Sequence, residues 1–121
     1  MSIYNTYKYG MGRDVYAKLL ECLIRMDNII VERDAELPMF WVDTRLDGTF
    51  TTDMVINNNV ITDIYSIDNI DQEHRELLKS KMKLSHLKYG YICNFDHTKF
   101  YSEWYVRDNE TGIIDRVKLL H

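Results

Sequence analysis

The sequence predicts an α/β fold, a small mixed β-sheet flanked by helices. Three observations carry the prediction. An amphipathic helix lies near the start, a series of β-branched and aromatic runs follows, and a second helix then interrupts the strands before they resume.

Over residues 12–26, Val15, Tyr16, Leu19, Leu20, Leu23 and Ile24 recur at helical spacing, which makes one apolar stripe. Asp14 suits the positive end of that helix. Asn28 ends it, and Ile29, Ile30 and Val31 open a strand. Residues 37–42 read as a second strand, with Pro38 marking an edge or a strand start. Asp47-Gly48 signals a turn, and residues 49–56 and 60–65 read as two more strands. Asn57, Asn58 and Asn59 form the tight turn between them, because Asn tolerates positive φ. Asp68 or Asn69 is placed to cap a helix over residues 71–86, with Leu77, Leu78 and Met82 facing inward. Residues 88–95 form another apolar strand, and 100–106 and 113–120 form further strands or a last short helix. The expected order is helix, four strands, helix, strand.

The chain of 121 residues suits a single domain, 1–121, with one core. Apolar residues make up 45% and charged residues 28%, with one proline, which is globular usage rather than disorder. No apolar run reaches the roughly 18 residues of a membrane span, and the polar, tyrosine-rich start is no secretory leader. An intracellular, reducing setting follows, with Cys22 and Cys93 as small core residues rather than a bridge. The abundance of Tyr, Asn, Ile and Asp suggests an AT-rich coding sequence, as in a virus or a low-GC microbe.

The Asn turn bears on chemistry. Centred on Asn58, it sets Asp53 opposite Asp63, with Tyr65 on the same side of the sheet. Carboxylates about 5 Å apart across a ladder repel. A cation between them, or a proton on one, relieves the repulsion, and two oxygen ligands on neighbouring strands suit Mg²⁺. In another register both acids are simply solvated at a sheet end.

Several segments in order resemble a known family. They are Gly10 to Tyr16, Val31-Glu32-Arg33, Leu37-Pro38, Asp53-Met54-Val55-Ile56, Val60-Ile61-Thr62-Asp63, Lys83-Leu84-Ser85, Leu87-Lys88-Tyr89-Gly90 and Asn94-Phe95. This run is similar to the GxxExxY family of the PD-(D/E)XK nuclease superfamily. The resemblance spans about residues 10–95 and fades beyond. It implies a restriction-endonuclease-like core, α-β-β-β-β-α-β here, built on a metal-dependent nuclease frame. It also implies that Asp53 and Asp63 stand at the metal-ligand positions. The family's catalytic Lys falls on Tyr65, its helix Glu on Arg13 (with Asp14 beside it) and its second-helix Gln on Leu77.

Those departures matter chemically. Phosphodiester hydrolysis uses a metal to polarise phosphate and activate water, and a cation to stabilise the growing charge. A tyrosine with a pKa of about 10 stays neutral at pH 7. Arg13 is able to pair with Asp53 or Asp63 and to fill the metal position with a fixed charge. The expectation is a degenerate nuclease-like module without a cofactor that binds DNA or RNA, binds a protein partner, or self-associates as a dimer. The alternative is residual Mg-dependent cleavage with the catalytic Lys relocated to Lys79 or Lys81.

Arg75, Lys79 and Lys83 recur at i, i+4 and i+8 and make a basic stripe that suits a phosphate backbone or simply a solvated face. The net charge of −4 does not by itself advertise nucleic-acid binding for the chain as a whole. Tyr4, Tyr7, Lys8 and Tyr9 suit packing or base stacking. Phe100, Tyr101, Trp104 and Tyr105 suit an interface or the closing of an open sheet, and Phe40-Trp41 poses the same choice. His74, His86, His97 and His121 have no zinc-site spacing.

Overall fold

A computed structural model describes residues 11–96 and 99–118. Tyr4, Tyr7, Lys8, Tyr9, Gly10, His97 and His121, all singled out above, lie outside the described residues. The elements run α1 (Arg13–Met26), β1 (Val31–Trp41), β2 (Thr44–Ile56), β3 (Val60–Tyr65), α2 (Gln72–Ser85), β4 (Tyr89–Phe95), β5 (Phe100–Arg107) and β6 (Ile114–Val117). The strands form one six-stranded sheet in sequence order. Every neighbouring pair is antiparallel except β3–β4. A parallel pair needs a long crossover, and α2 is that crossover.

The sheet buries both faces. On one, Tyr16, Ala17 and Leu20 of α1 pack on Val31, Met54, Ile64, Cys93 and Phe95. On the other, Leu78 and Met82 of α2 pack on Ile61, Ile92, Tyr105 and Ile114. β3 alternates between the two, with Ile61 facing α2 and Ile64 facing α1. Gly90 lets α2 approach closely, because a Cβ there would lie 2.5 Å from the Met82 sulfur.

Three strands, not four, separate the helices. The two short strands expected over 29–31 and 37–42 are one long edge strand, β1. Asp34, in the stretch between those two expected strands, adopts a left-handed φ of 50°. On an edge strand this costs one rung, and Arg33–Met54 and Ala35–Thr52 keep register on either side. The β1–β2 hairpin reverses near Val42 rather than at Asp47-Gly48. Val42 carries the positive φ, 54°. Asp47 and Gly48 instead form, with Leu46, a bulge in β2 between the Phe40–Arg45 and Pro38–Thr49 pairs. Pro38 lies on the sheet edge, as its missing N–H requires.

The Asn turn has the expected register, with Met54 opposite Thr62, Val55 opposite Ile61 and Ile56 opposite Val60. Asn57 and Asn58 take left-handed φ values of 54° and 56°. Asn59 is the extra residue, and its carbonyl accepts from Tyr89 N–H at 3.3 Å. The α2 cap is Asp71, not Asp68 or Asn69. Its carboxylate accepts from the Glu73 and His74 amides, and His74 Nδ1 accepts from the Asp71 amide. That start turns Leu78, Met82 and Ser85 inward and leaves Leu77 49% exposed, so Leu77 is not a core residue. Cys93 is buried as expected, but Cys22 is exposed, and both are free thiols. Among the described residues, every element after α2 is a strand, with no last short helix. Trp104 stacks on Tyr91 and Phe100 tilts onto Phe95, so these aromatics close the sheet.

Candidate functional site

The β2–β3 ladder ends at Met54–Thr62. Beyond it the strands part, and the side chain of Asp53 reaches into the gap. Asp53 Oδ2 accepts the Ile64 backbone N–H at 2.8 Å. Arg13, the first residue of α1, reaches the same place from above. Its Nε donates to the Ile64 carbonyl at 3.0 Å, and its terminal nitrogens pair with Asp53 Oδ1 and with Asp14. Both polar groups of Ile64 that face β2 are thus satisfied by Asp53 and Arg13 in place of a backbone rung. β3 still pairs with β4 on its other side through Ile64–Cys93.

Asp63 lies next to this gap and is almost wholly buried, at 1% exposure. Its Oδ1 accepts from Lys81 Nζ of α2 at 2.8 Å and from Thr52 Oγ1 at 3.3 Å. Its Oδ2 is buried and makes no hydrogen bond. Burial pushes the Asp63 carboxyl above the usual carboxylate range. The Lys81 ammonium opposes that shift and the nearby Asp53 charge adds to it. Lys81 itself is only 16% exposed.

Tyr65 is half-buried, with its ring edge-on to His74 at 4.6 Å. Burial raises its phenol pKa, and the charges of Asp63, Asp53 and Asp71 raise it further. It is a neutral hydrogen-bonding group and supplies no positive charge. Leu77, exposed on α2, offers no polar atom.

The basic stripe does not stay open. Arg75 turns inward and grips Glu103 of β5 with both edges of its guanidinium, Nε to Oε1 at 2.9 Å and Nη2 to Oε2 at 2.8 Å. The Glu103 side chain is fully buried, and it also accepts from Tyr101 and Tyr105 hydroxyls at 2.5 and 2.7 Å. Burial pushes the Glu103 carboxyl up. The hydrogen bonds from Arg75, Tyr101 and Tyr105, with the charge of Arg116, outweigh burial and bring it down to about 2. Lys79 lies over the Tyr105 ring and 3.9 Å from Glu76. Lys83 is exposed on the last turn of α2. Nothing in the sequence spacing marked Glu103 as the partner of Arg75, because the pair joins residues from a helix and a distant strand. The Ile64 backbone was likewise invisible, since strand parting is a three-dimensional event.

Whether these residues suit a magnesium ion turns on which oxygens are already held. Mg²⁺ wants an octahedral shell of oxygens. Arg13 takes Asp53 Oδ1 and the Ile64 carbonyl, the Ile64 amide takes Asp53 Oδ2, and Lys81 with Thr52 takes Asp63 Oδ1. Among the described residues, no group of three His, Cys, Asp or Glu side chains is arranged to hold a metal. The residues do not fit a divalent ion as they stand, because it would have to displace a guanidinium or sit against one.

A mixed sheet flanked by helices, with a paired acid motif where two antiparallel strands part, is the frame of a nuclease-like α/β domain. The chain belongs to the PD-(D/E)XK nuclease superfamily, whose family model matches residues 1–106. No curated protein and no solved structure matches it. Among the described residues no helix is long and apolar enough to cross a membrane.

Proposed function

We propose that this domain retains the nuclease frame without nuclease catalysis, as a degenerate member of the GxxExxY family, and works as an interaction module. One observation carries the proposal. The cation beside Asp53 is Arg13, held at the same time by the Ile64 carbonyl. With neutral Tyr65 at the family's lysine position, the site has neither a free metal-binding face nor the usual catalytic charge. A protein partner, a second copy of the chain included, is favoured over nucleic acid. Arg75 is engaged inside the fold, the net charge is −4, and Trp41 and Val42 are 70% and 66% exposed at the hairpin tip.

The test is incubation with single- and double-stranded DNA and with RNA, in Mg²⁺ or Mn²⁺, with Asp53→Ala and Asp63→Ala as controls. Wild-type protein is expected to cut no faster than either variant. Cleavage abolished in both variants would overturn the proposal.

A second reading has its own observation, the 2.8 Å contact between Lys81 and Asp63. It assigns Lys81 as a relocated catalytic lysine of a residual Mg-dependent nuclease. In that case wild-type protein cleaves and Lys81→Ala does not, whereas Lys79→Ala cleaves normally.

A further inference from the structure

We infer that Arg13 and Lys81 together are a built-in substitute for a divalent cation, and that removing Arg13 creates a divalent-metal site that the wild-type protein lacks. This rests on the reading above, that the acidic pair is no longer a working metal centre. The charges support it. Asp53 and Asp63 bring two carboxylates to the parting of β2 and β3, and each has one fixed cation in contact, Arg13 on the first and Lys81 on the second. Two single charges stand where one double charge would otherwise be needed to relieve the repulsion.

The geometry makes the point more strongly than the charge. One guanidinium donates to a carboxylate oxygen of Asp53 and to the main-chain oxygen of Ile64, so two oxygens from different strands converge on a single cationic group. Converging oxygen donors are what a hard divalent ion binds. The residue between them and α2 is Asp63, whose buried Oδ2 makes no hydrogen bond. An unsatisfied buried oxygen costs stability, so this side of the acidic pair is not fully compensated by Lys81 and Thr52. Truncating Arg13 leaves Asp53 Oδ1 and the Ile64 carbonyl without that cation. Asp53 stays in place, because the Ile64 amide holds its other oxygen at 2.8 Å.

The experiment compares thermal unfolding of wild-type, Arg13→Ala and Arg13→Ala/Asp53→Asn proteins over a titration of MnCl₂, with Mn²⁺ binding read independently by the loss of its free-ion paramagnetic resonance signal. Wild-type protein should show neither a shift nor bound Mn²⁺. Arg13→Ala should start less stable and gain roughly 5 °C once Mn²⁺ is at about ten times its dissociation constant. The double variant should lose that gain. Arg13→Gln, which keeps bulk at the helix start, replaces Arg13→Ala if the latter does not fold. A folded Arg13 variant that binds no Mn²⁺ would sink the inference while leaving absent catalysis intact. Asp53-dependent Mn²⁺ binding by wild-type protein would also sink it, and cleavage in the nuclease assay would instead remove the reading beneath it.

Discussion

At the scale of single residues, the buried carboxylate with more hydrogen-bond donors among the described residues is Glu103 rather than Asp63. A buried carboxylate held by a two-pronged arginine and two tyrosines is costly to disturb, because losing one partner leaves a desolvated charge behind. Arg75→Ala should therefore lower unfolding free energy by roughly 3 kcal/mol, measured by urea titration. Glu103→Gln should cost less, since it removes the charge that needs compensating. The pH dependence has a definite sign. The Glu103 carboxyl is held at about 2 in the folded protein against an ordinary value of 4.5. Its contribution is fully present above about pH 4.5 and is lost as pH falls toward 2. Acid unfolding of wild-type protein should thus be steeper across that interval than that of Glu103→Gln, as read by circular dichroism. The residue types at the acidic pair and Arg13 as a cation for Asp53 were visible in the sequence, but the remaining partners were not. Asp53 and Asp63 follow from the Asn turn, and Arg13 from its place in the helix motif. Thr52, the Ile64 backbone and Glu103 emerge only from contacts between elements.

At the scale of elements, the two helices and the β2–β3 hairpin were legible because each is signalled within a few residues, by a helical apolar stripe or by an Asn turn. The long β1–β2 hairpin was not. Asp34 and Asp47-Gly48 carry the local chemistry of breaks and turns, yet both sit within strands because pairing on either side outweighs the local preference. The helix α2 shows the same competition. Its stripe is offset from the expected one, since the Asp71 cap sets the starting phase and Gly90 sets how close the helix lies. Gly90→Ala should push a methyl group into the Met82 sulfur and destabilise the domain by about 1–3 kcal/mol. Shortening the obstructing side chain with Met82→Ala should lessen the added cost of the alanine. A double-mutant cycle in urea checks both expectations, and an additive result would mean that the two residues do not meet.

At the scale of the whole molecule, the sheet is covered by α1 on one face and α2 on the other; Phe40 stacks on His86 at the end of α2, and residues 41–43 at the β1–β2 hairpin tip are exposed. Val42, Trp41 and the charged Asp43 are exposed there. Because Trp41 is 70% exposed, Trp41→Ser should change unfolding free energy by no more than about 0.5 kcal/mol. If the tip is where a second copy docks, the same substitution should reduce dimer content in sedimentation velocity at high protein concentration. Unchanged sedimentation would place self-association elsewhere or exclude it.

The sequence by itself determined the α/β class, the two helices and the register of the Asn turn, but not the cross-strand pairing of Asp53 with Asp63, which does not form because the ladder ends at Met54–Thr62. What it determined are properties of short stretches, in which periodicity and turn chemistry act over a few residues. Only the tertiary structure decided that β2 and β3 part beyond Met54–Thr62, that Arg13 closes the gap onto Asp53 and Ile64, and that Arg75 points inward to Glu103 rather than outward. Each of those outcomes depends on where a helix lands on a sheet. That placement is set by burial and hydrogen-bond satisfaction summed over distant segments, which no local pattern encodes.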